Sequence, residues 1–304
     1  MAQINRSLER ERALLPGALA VAVIAISFAA IFFRLASPTH PLVSAATRMT
    51  VTAFILAPFV VRAARRGALS GRLLRAALLG GVFYGIHFGA WIWSLELTAI
   101  ATSVTIVTAT PLLLGIAGLI TGRDRPTVRL WVSIALAAVG LAILGGNDLR
   151  ALAHGALAGD AMALLGAAAM AGYMLNVRRF GSAIPILAFT GVAAAVAAVL
   201  LWSGAAVSGV PLSPASPTAL LYLVLAALVP QLVGHSLLTW SLRHATPTAV
   251  GIATVGEPVG ATFLGWIWLG ESITVPIAVG CLITLAGVAN AVVSRNREPR
   301  RTSA

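Results

Sequence analysis

The sequence predicts an all-α polytopic membrane protein: ten transmembrane helices, arranged as two inverted five-helix repeats (N-in/C-in). Three observations carry that expectation. Apolar runs of spanning length follow one another along almost the whole chain of 304 residues, whose mean hydropathy is +0.95 and whose charged residues make up only 10%. Soluble domains carry about 25% charged residues, and disordered chains combine high charge with low hydrophobicity, so both classes are excluded. Second, the arginines gather in alternate connections. Third, the second half of the chain repeats the first at a fixed offset, from Trp93 to Trp240.

About 20 apolar residues cross a hydrocarbon core of roughly 30 Å. Ten segments meet that length: residues 15–36, 40–62, 73–95, 100–121, 127–146, 155–177, 183–204, 217–241, 246–269 and 272–294. The first follows a charged N-terminal segment, residues 1–14, holding Arg6, Glu9, Arg10, Glu11 and Arg12. It lacks a small-residue cleavage site before Arg34, so it is expected to remain as a span rather than to be cleaved as a signal peptide. The second carries Arg48 and the third an aromatic run; the fourth and ninth contain Pro111 and Pro258. The fifth ends at Gly145-Gly146, with no Walker motif around it, and the sixth opens near Asp160. The longest connection, from Gly204 to Pro217, is rich in Pro and Ser. The tenth holds the single cysteine, Cys281, expected to be a packed small hydrophobe, and a basic tail of residues 295–304 follows.

Basic residues mark the cytoplasmic side of membrane proteins. With the N-terminus inside, 18 arginines fall inside, among them Arg62, Arg65, Arg66, Arg72, Arg75, Arg123, Arg125, Arg129, Arg178, Arg179 and Arg243. Only Arg34 and Arg150 fall outside, and Arg48 lies within a span. That imbalance sets N-in/C-in topology. The chain has no lysine at all, which reads as GC-rich coding and not as chemistry.

The repeat is gap-free over residues 93–142, with 11 identities in 50 positions at the same offset. They are Trp93-Ser94-Leu95 with Trp240-Ser241-Leu242, Pro111 with Pro258, Gly118 with Gly265, Ile120 with Ile267, Thr127-Val128 with Thr274-Val275, Val132 with Val279, Gly140 with Gly287 and Ala142 with Ala289. Asp124 coincides with Glu271. Residues 15–146 and 155–294 therefore read as two copies of one five-span unit. Five is odd, so the second copy is inverted in the membrane. Inverted repeats characterise secondary transporters, which bind substrate near the midplane between the copies.

Several segments also resemble a known family. Pro41 through Arg48 in the second span, Ala109-Thr110-Pro111 in the fourth, Glu257-Pro258 in the ninth and Leu269-Gly270-Glu271 after it are similar to EamA-type transporters of the drug/metabolite transporter superfamily. The resemblance covers roughly residues 15–294. It implies ten spans and export of small organic metabolites from the cytoplasm; exporters of aromatic amino acids look most similar within it. An alternative within the superfamily is efflux of drugs or organic cations.

Polar groups inside a bilayer are costly, and each needs a reason. Tyr84, His87, Phe88 and Trp91 recur at i, i+3, i+4 and i+7, one helical face near mid-membrane. That face is either a substrate-stacking surface or ordinary interhelical packing. His235 lies one residue from the repeat partner of His87 and is the pseudo-symmetric candidate. Tyr173 and Asn176 share a face near the cytoplasmic end of the sixth span. Arg48 is either a packing residue or a cavity and gate residue. Glu257 is either structural or a carrier of coupling protons, beside the kink that Pro258 favours. Pro111 and Pro258, paired by the repeat, are candidate bending points. Gly80-Gly81, Gly85, Gly89, Gly140 and Gly287 let helices approach closely.

These features bound the partners: a small-molecule substrate, the lipid bilayer and, if transport is coupled, protons. No cofactor and no metal ligand set is implied. The basic excess is spread too thinly for nucleic acid, and no ATPase partner is implied. A membrane-embedded enzyme would need H-E-x-x-H, G-x-S-x-G or paired aspartates, and the sequence has none. The expected location is the bacterial cytoplasmic (inner) membrane.

Overall fold

A computed structural model of the chain describes residues 2–69, 71–97, 103, 106–144, 157–180, 183 and 185–295; for 2–12, 95, 96 and 293–295 the description covers backbone alone. Gly145-Gly146, Arg150, His154, the junction between the repeats and the tail beyond residue 295 lie outside the described residues, as do the side chains of Glu96, Arg6, Arg10 and Arg12.

All described regular structure is helical. The elements are α1 (Ala2–Leu35), α2 (Pro41–Arg65), α3 (Gly71–Leu97), α4 (Thr110–Thr121), α5 (Val128–Leu144), α6 (Leu157–Phe180), α7 (Ile186–Val207), α8 (Pro217–Ser241), α9 (Pro247–Leu269) and α10 (Val275–Arg295). Helix starts follow local chemistry. His40, Ser216 and Thr246 each accept a hydrogen bond from a first-turn backbone N–H, and each precedes a proline, whose missing donor costs nothing at that position. Gly122 and Gly270, both left-handed, end α4 and α9.

Among the described residues, eight helices are long and apolar enough to cross a membrane; α4 and α5, where the fourth and fifth spans were expected, are shorter. The expected continuous span 100–121 is corrected at its centre. A turn at Thr108-Ala109 precedes α4, with Pro111 in its first turn, and the 12 residues that follow cover about 18 Å. The ninth span breaks at the equivalent place: Val255-Gly256 forms a turn between the segments Pro247–Thr254 and Glu257–Leu269. The N-terminal segment continues the first helix, since α1 runs from Ala2 through Pro16. In α8, residues Ala227–His235 widen into a π-helix around Pro230, which cannot donate to the ordinary ladder.

Packing follows the repeat. α2 lies along α7, α5 along α10 and α4 against α9, three pairings of equivalent helices. α3 packs on α6, and its counterpart pairing, α8 on α1, is also present. A pseudo-twofold relation between the copies requires this set. Gly140 and Gly287 sit at the α5–α10 crossing: a Cβ on Gly140 would lie 2.6 Å from the backbone nitrogen of Thr284, and one on Gly287 would lie 2.9 Å from that of Ala137. The outer faces carry large apolar side chains, among them Phe54, Ile120, Trp266 and Trp268, as lipid contact requires.

Candidate functional site

The aromatic face of α3 points into the bundle, not to lipid. Tyr84 and Phe88 are fully buried, and His87 and Trp91 nearly so. Tyr84 stacks on Tyr173 of α6, with ring centroids 4.0 Å apart and planes 18° apart. The Tyr173 hydroxyl and the Thr239 hydroxyl of α8 are 2.9 Å apart, and Thr239 donates to the His235 carbonyl. His235 meets Tyr84 and Phe88 edge-on, at 5.9 and 5.5 Å. His87 and the Gly166 carbonyl are 2.9 Å apart; a carbonyl only accepts, so Nδ1 carries the proton there. His87 also stacks parallel to Trp91 at 6.0 Å. The six aromatic residues named from sequence thus form one cluster joining both repeats. Tyr173, placed by sequence near the cytoplasmic end of its span, belongs to this cluster.

The pseudo-symmetry passes through this cluster. His235 is the repeat equivalent of Phe88, and the two rings touch each other, as residues near a twofold axis do. The equivalent of Tyr84 is Gln231, in the π-helix. Sequence does not single out Gln231, yet it makes the contact that matters most for Arg48. Arg48 Nη2 donates to Gln231 Oε1 at 2.7 Å, and both side chains are buried. The guanidinium lies over the Phe88 ring, 4.6 Å from its centroid, and 5.7 Å from that of Phe33. A single glutamine in an apolar, proline-containing span is too weak a signal to point to this residue in sequence. Thr239 and Phe33 are likewise missed, because neither differs from its surroundings in sequence.

Glu257 opens the second segment of α9 and is half-buried. Its carboxylate makes no hydrogen bond or ion pair with a described residue. Its backbone carbonyl accepts from Ser27 of α1 at 3.3 Å. Pro111 and Pro258 each stand in the first turn after a break, and Gly251 of α9 packs against Pro111 and Leu114 where the two broken spans cross. Asn176 donates to the Ala76 carbonyl at 2.8 Å, fastening α6 to α3. Among the described residues, no three His, Cys, Asp or Glu side chains converge as metal ligands would.

Two ion pairs between described residues join the repeats. Arg34, in the last turn of α1, pairs with Glu271 after α9. Arg178, in the last turn of α6, forks onto Asp124 after α4, with two contacts of 3.2 Å, and also donates to the Leu242 carbonyl. Successive helices run back and forth, so the first pair lies at one end of the bundle and the second at the other. Each pair joins the two repeats, and the acids occupy equivalent positions.

The sequence profile of the EamA-like transporter family matches residues 15–146 and 157–293. No curated protein matches the sequence. A solved structure, titled only as the crystal structure of a protein, superposes with a TM-score of 0.75 over 94% of this chain and 100% of its own, at 19% identity; that likeness concerns the fold alone.

Proposed function

The chain belongs to the EamA-like transporter family, and from that premise we propose that it exports amino acids, aromatic ones above all, across the bacterial cytoplasmic membrane by alternating access. Family membership makes it a multi-pass membrane transporter of small molecules, built from two copies of one domain. The direction, the cargo and the cycle are our reading.

One observation carries the cycle: two equivalent ion pairs, Arg34–Glu271 and Arg178–Asp124, bridge the repeats at opposite ends of the bundle. With both made, both mouths are held shut. Opening one end breaks one pair and leaves the other in place, so the repeats rock about the aromatic cluster. Exposed pairs of this kind contribute about 0–1 kcal/mol, strong enough to bias a mouth and weak enough to release on every turnover. The arginines assign the Arg178 end to the cytoplasm, which leaves the Arg34 end facing outward.

The cargo reading rests on the chemistry of the cluster. Tyr84, Phe88, Tyr173, Trp91 and the two histidines supply flat faces between the repeats, each offering roughly 0.5–1.5 kcal/mol to a stacked ring. They are closely packed here, so cargo enters by separating them as one mouth opens. The test is flux in proteoliposomes. Phenylalanine and tryptophan are expected to inhibit the flux of a labelled amino acid more strongly than lysine and glutamate. Equal inhibition by all four, or unchanged flux in a Tyr84→Ala/Trp91→Ala double variant, overturns the aromatic reading.

A further inference from the structure

We propose that Arg48 and Glu257 form a two-point site for the zwitterionic head of an amino acid, the guanidinium taking the α-carboxylate and the glutamate taking the α-ammonium. This rests on the amino-acid export reading and adds to it what the protein recognises besides the ring.

The argument begins with donors that lack acceptors. Arg48 is permanently charged and 1% exposed. Its Nη2 bonds to Gln231, but Nε and Nη1 are buried without a hydrogen-bond partner among the described residues. Nε2 of Gln231 is also buried without an acceptor among the described residues. Unpaired donors on a buried guanidinium are costly, and a bound anion relieves that cost. A carboxylate suits the planar fork best, since each of its oxygens accepts more than one N–H.

Glu257 supplies the complement. Its backbone carbonyl is bonded to Ser27 of α1, the helix whose Phe33 lies against the guanidinium, and Arg48 and Glu257 form no direct ion pair. A plain carboxylic acid would complete Arg48 and leave Glu257 without a cation. A plain amine would do the reverse. A zwitterion completes both, and because Arg48 and Glu257 sum to zero charge, the filled site also stays neutral in a medium where net charge is costly. The rings fix the geometry. Phe88 and Phe33 hold the guanidinium plane, and Phe88 is shared with the aromatic cluster, so a side chain extending from the zwitterionic head meets Tyr84 and His235. Arg48 and Gln231 come from different repeats, so the carboxylate end of the site exists only where the two copies meet.

Competition against labelled phenylalanine binding to the purified, full-length protein tests the site, with three probes that share a ring: phenylalanine, phenethylamine, which lacks the carboxylate, and 3-phenylpropionate, which lacks the amine. In the wild type, both truncated probes are expected to compete at least about tenfold more weakly than phenylalanine. Glu257→Gln is expected to shrink the margin against 3-phenylpropionate and keep the margin against phenethylamine. Arg48→Gln is expected to do the opposite. Arg48→Lys, which keeps the charge and loses the fork, should fall between. Should the Arg48 variants fail to fold, the half-buried Glu257 variant still decides, by its selective effect on one probe. Truncated probes that compete within threefold of phenylalanine overturn the inference, as does a Glu257→Gln variant with wild-type discrimination. Wild-type protein that neither binds nor moves phenylalanine overturns the export reading, and this inference with it; binding without discrimination overturns this inference alone.

Discussion

Asp124 and Glu271 stand at equivalent positions in the two repeats, and each pairs with an arginine from the last turn of the opposite repeat's first helix. The relationship is reciprocal: repeat 1 lends the arginine at one end and the acid at the other. In the cycle we propose, such a device would close either mouth with the same contact, used once in each orientation.

The first prediction concerns that contact. Glu271→Gln should shift the protein toward the form open at the Arg34 end, and Asp124→Asn toward the form open at the Arg178 end. Loss of a pair worth about 0.2–1 kcal/mol corresponds to a population shift of about 1.5- to 5-fold. Distances between spin labels placed across each end would report it. Identical shifts in the same direction for both variants would remove the latch idea.

A second prediction concerns packing. Leucine at Gly140 or at Gly287 has no room, because the facing backbones of α10 and α5 lie within 3 Å of the added Cβ. Each variant should lose about 1–3 kcal/mol, and the double variant should lose less than the sum, since both glycines serve one helix crossing. Melting of purified protein in detergent measures it. Leucine at Gly204, where an added Cβ meets only Leu42 at 3.9 Å, is the neutral control.

Orientation is open to direct test. Cysteines placed between Gly204 and Pro217 should react with impermeant thiol reagents added to intact cells, and cysteines beside Arg65 should not. Cys281, the one native thiol, is replaced first. The opposite labelling pattern would reverse the inferred direction of transport.

The broken spans give a fourth expectation. Pro258→Ala restores a backbone donor in the first turn after the Val255-Gly256 break and should stiffen α9. Turnover should fall several-fold while affinity changes little, as read from flux and binding on the same preparation. Pro111→Ala should act alike, since its break is equivalent. Unchanged turnover in both variants would leave the breaks without a role in the motion.

Much of the site is legible in the sequence alone. The i, i+3, i+4, i+7 spacing of Tyr84, His87, Phe88 and Trp91 places them on one face whatever surrounds the helix, because helical pitch is local. The offset of the repeat leads to His235 through the same arithmetic. Which way the face turns is not legible, since a bundle of apolar helices in lipid has no amphipathic contrast to orient it. Gln231 and Thr239 are not legible either. A glutamine and a threonine in an apolar span become informative only when Arg48 and Tyr173 are seen opposite them.

By itself, the sequence determined the helical class, most helix boundaries, the prolines that open helices and the division into two copies. Each depends on chain length, local hydrogen bonding or self-similarity, which are properties of neighbouring residues. Only the tertiary structure decided that Arg48 meets Gln231 across 183 positions, that Tyr84 stacks on Tyr173, that the fourth span is interrupted and that Arg34 and Arg178 find Glu271 and Asp124. Those pairings depend on how ten apolar surfaces fit one another. Close packing selects among them by shape and by the cost of an unpaired buried polar group, and neither is written in the order of residues along any single helix.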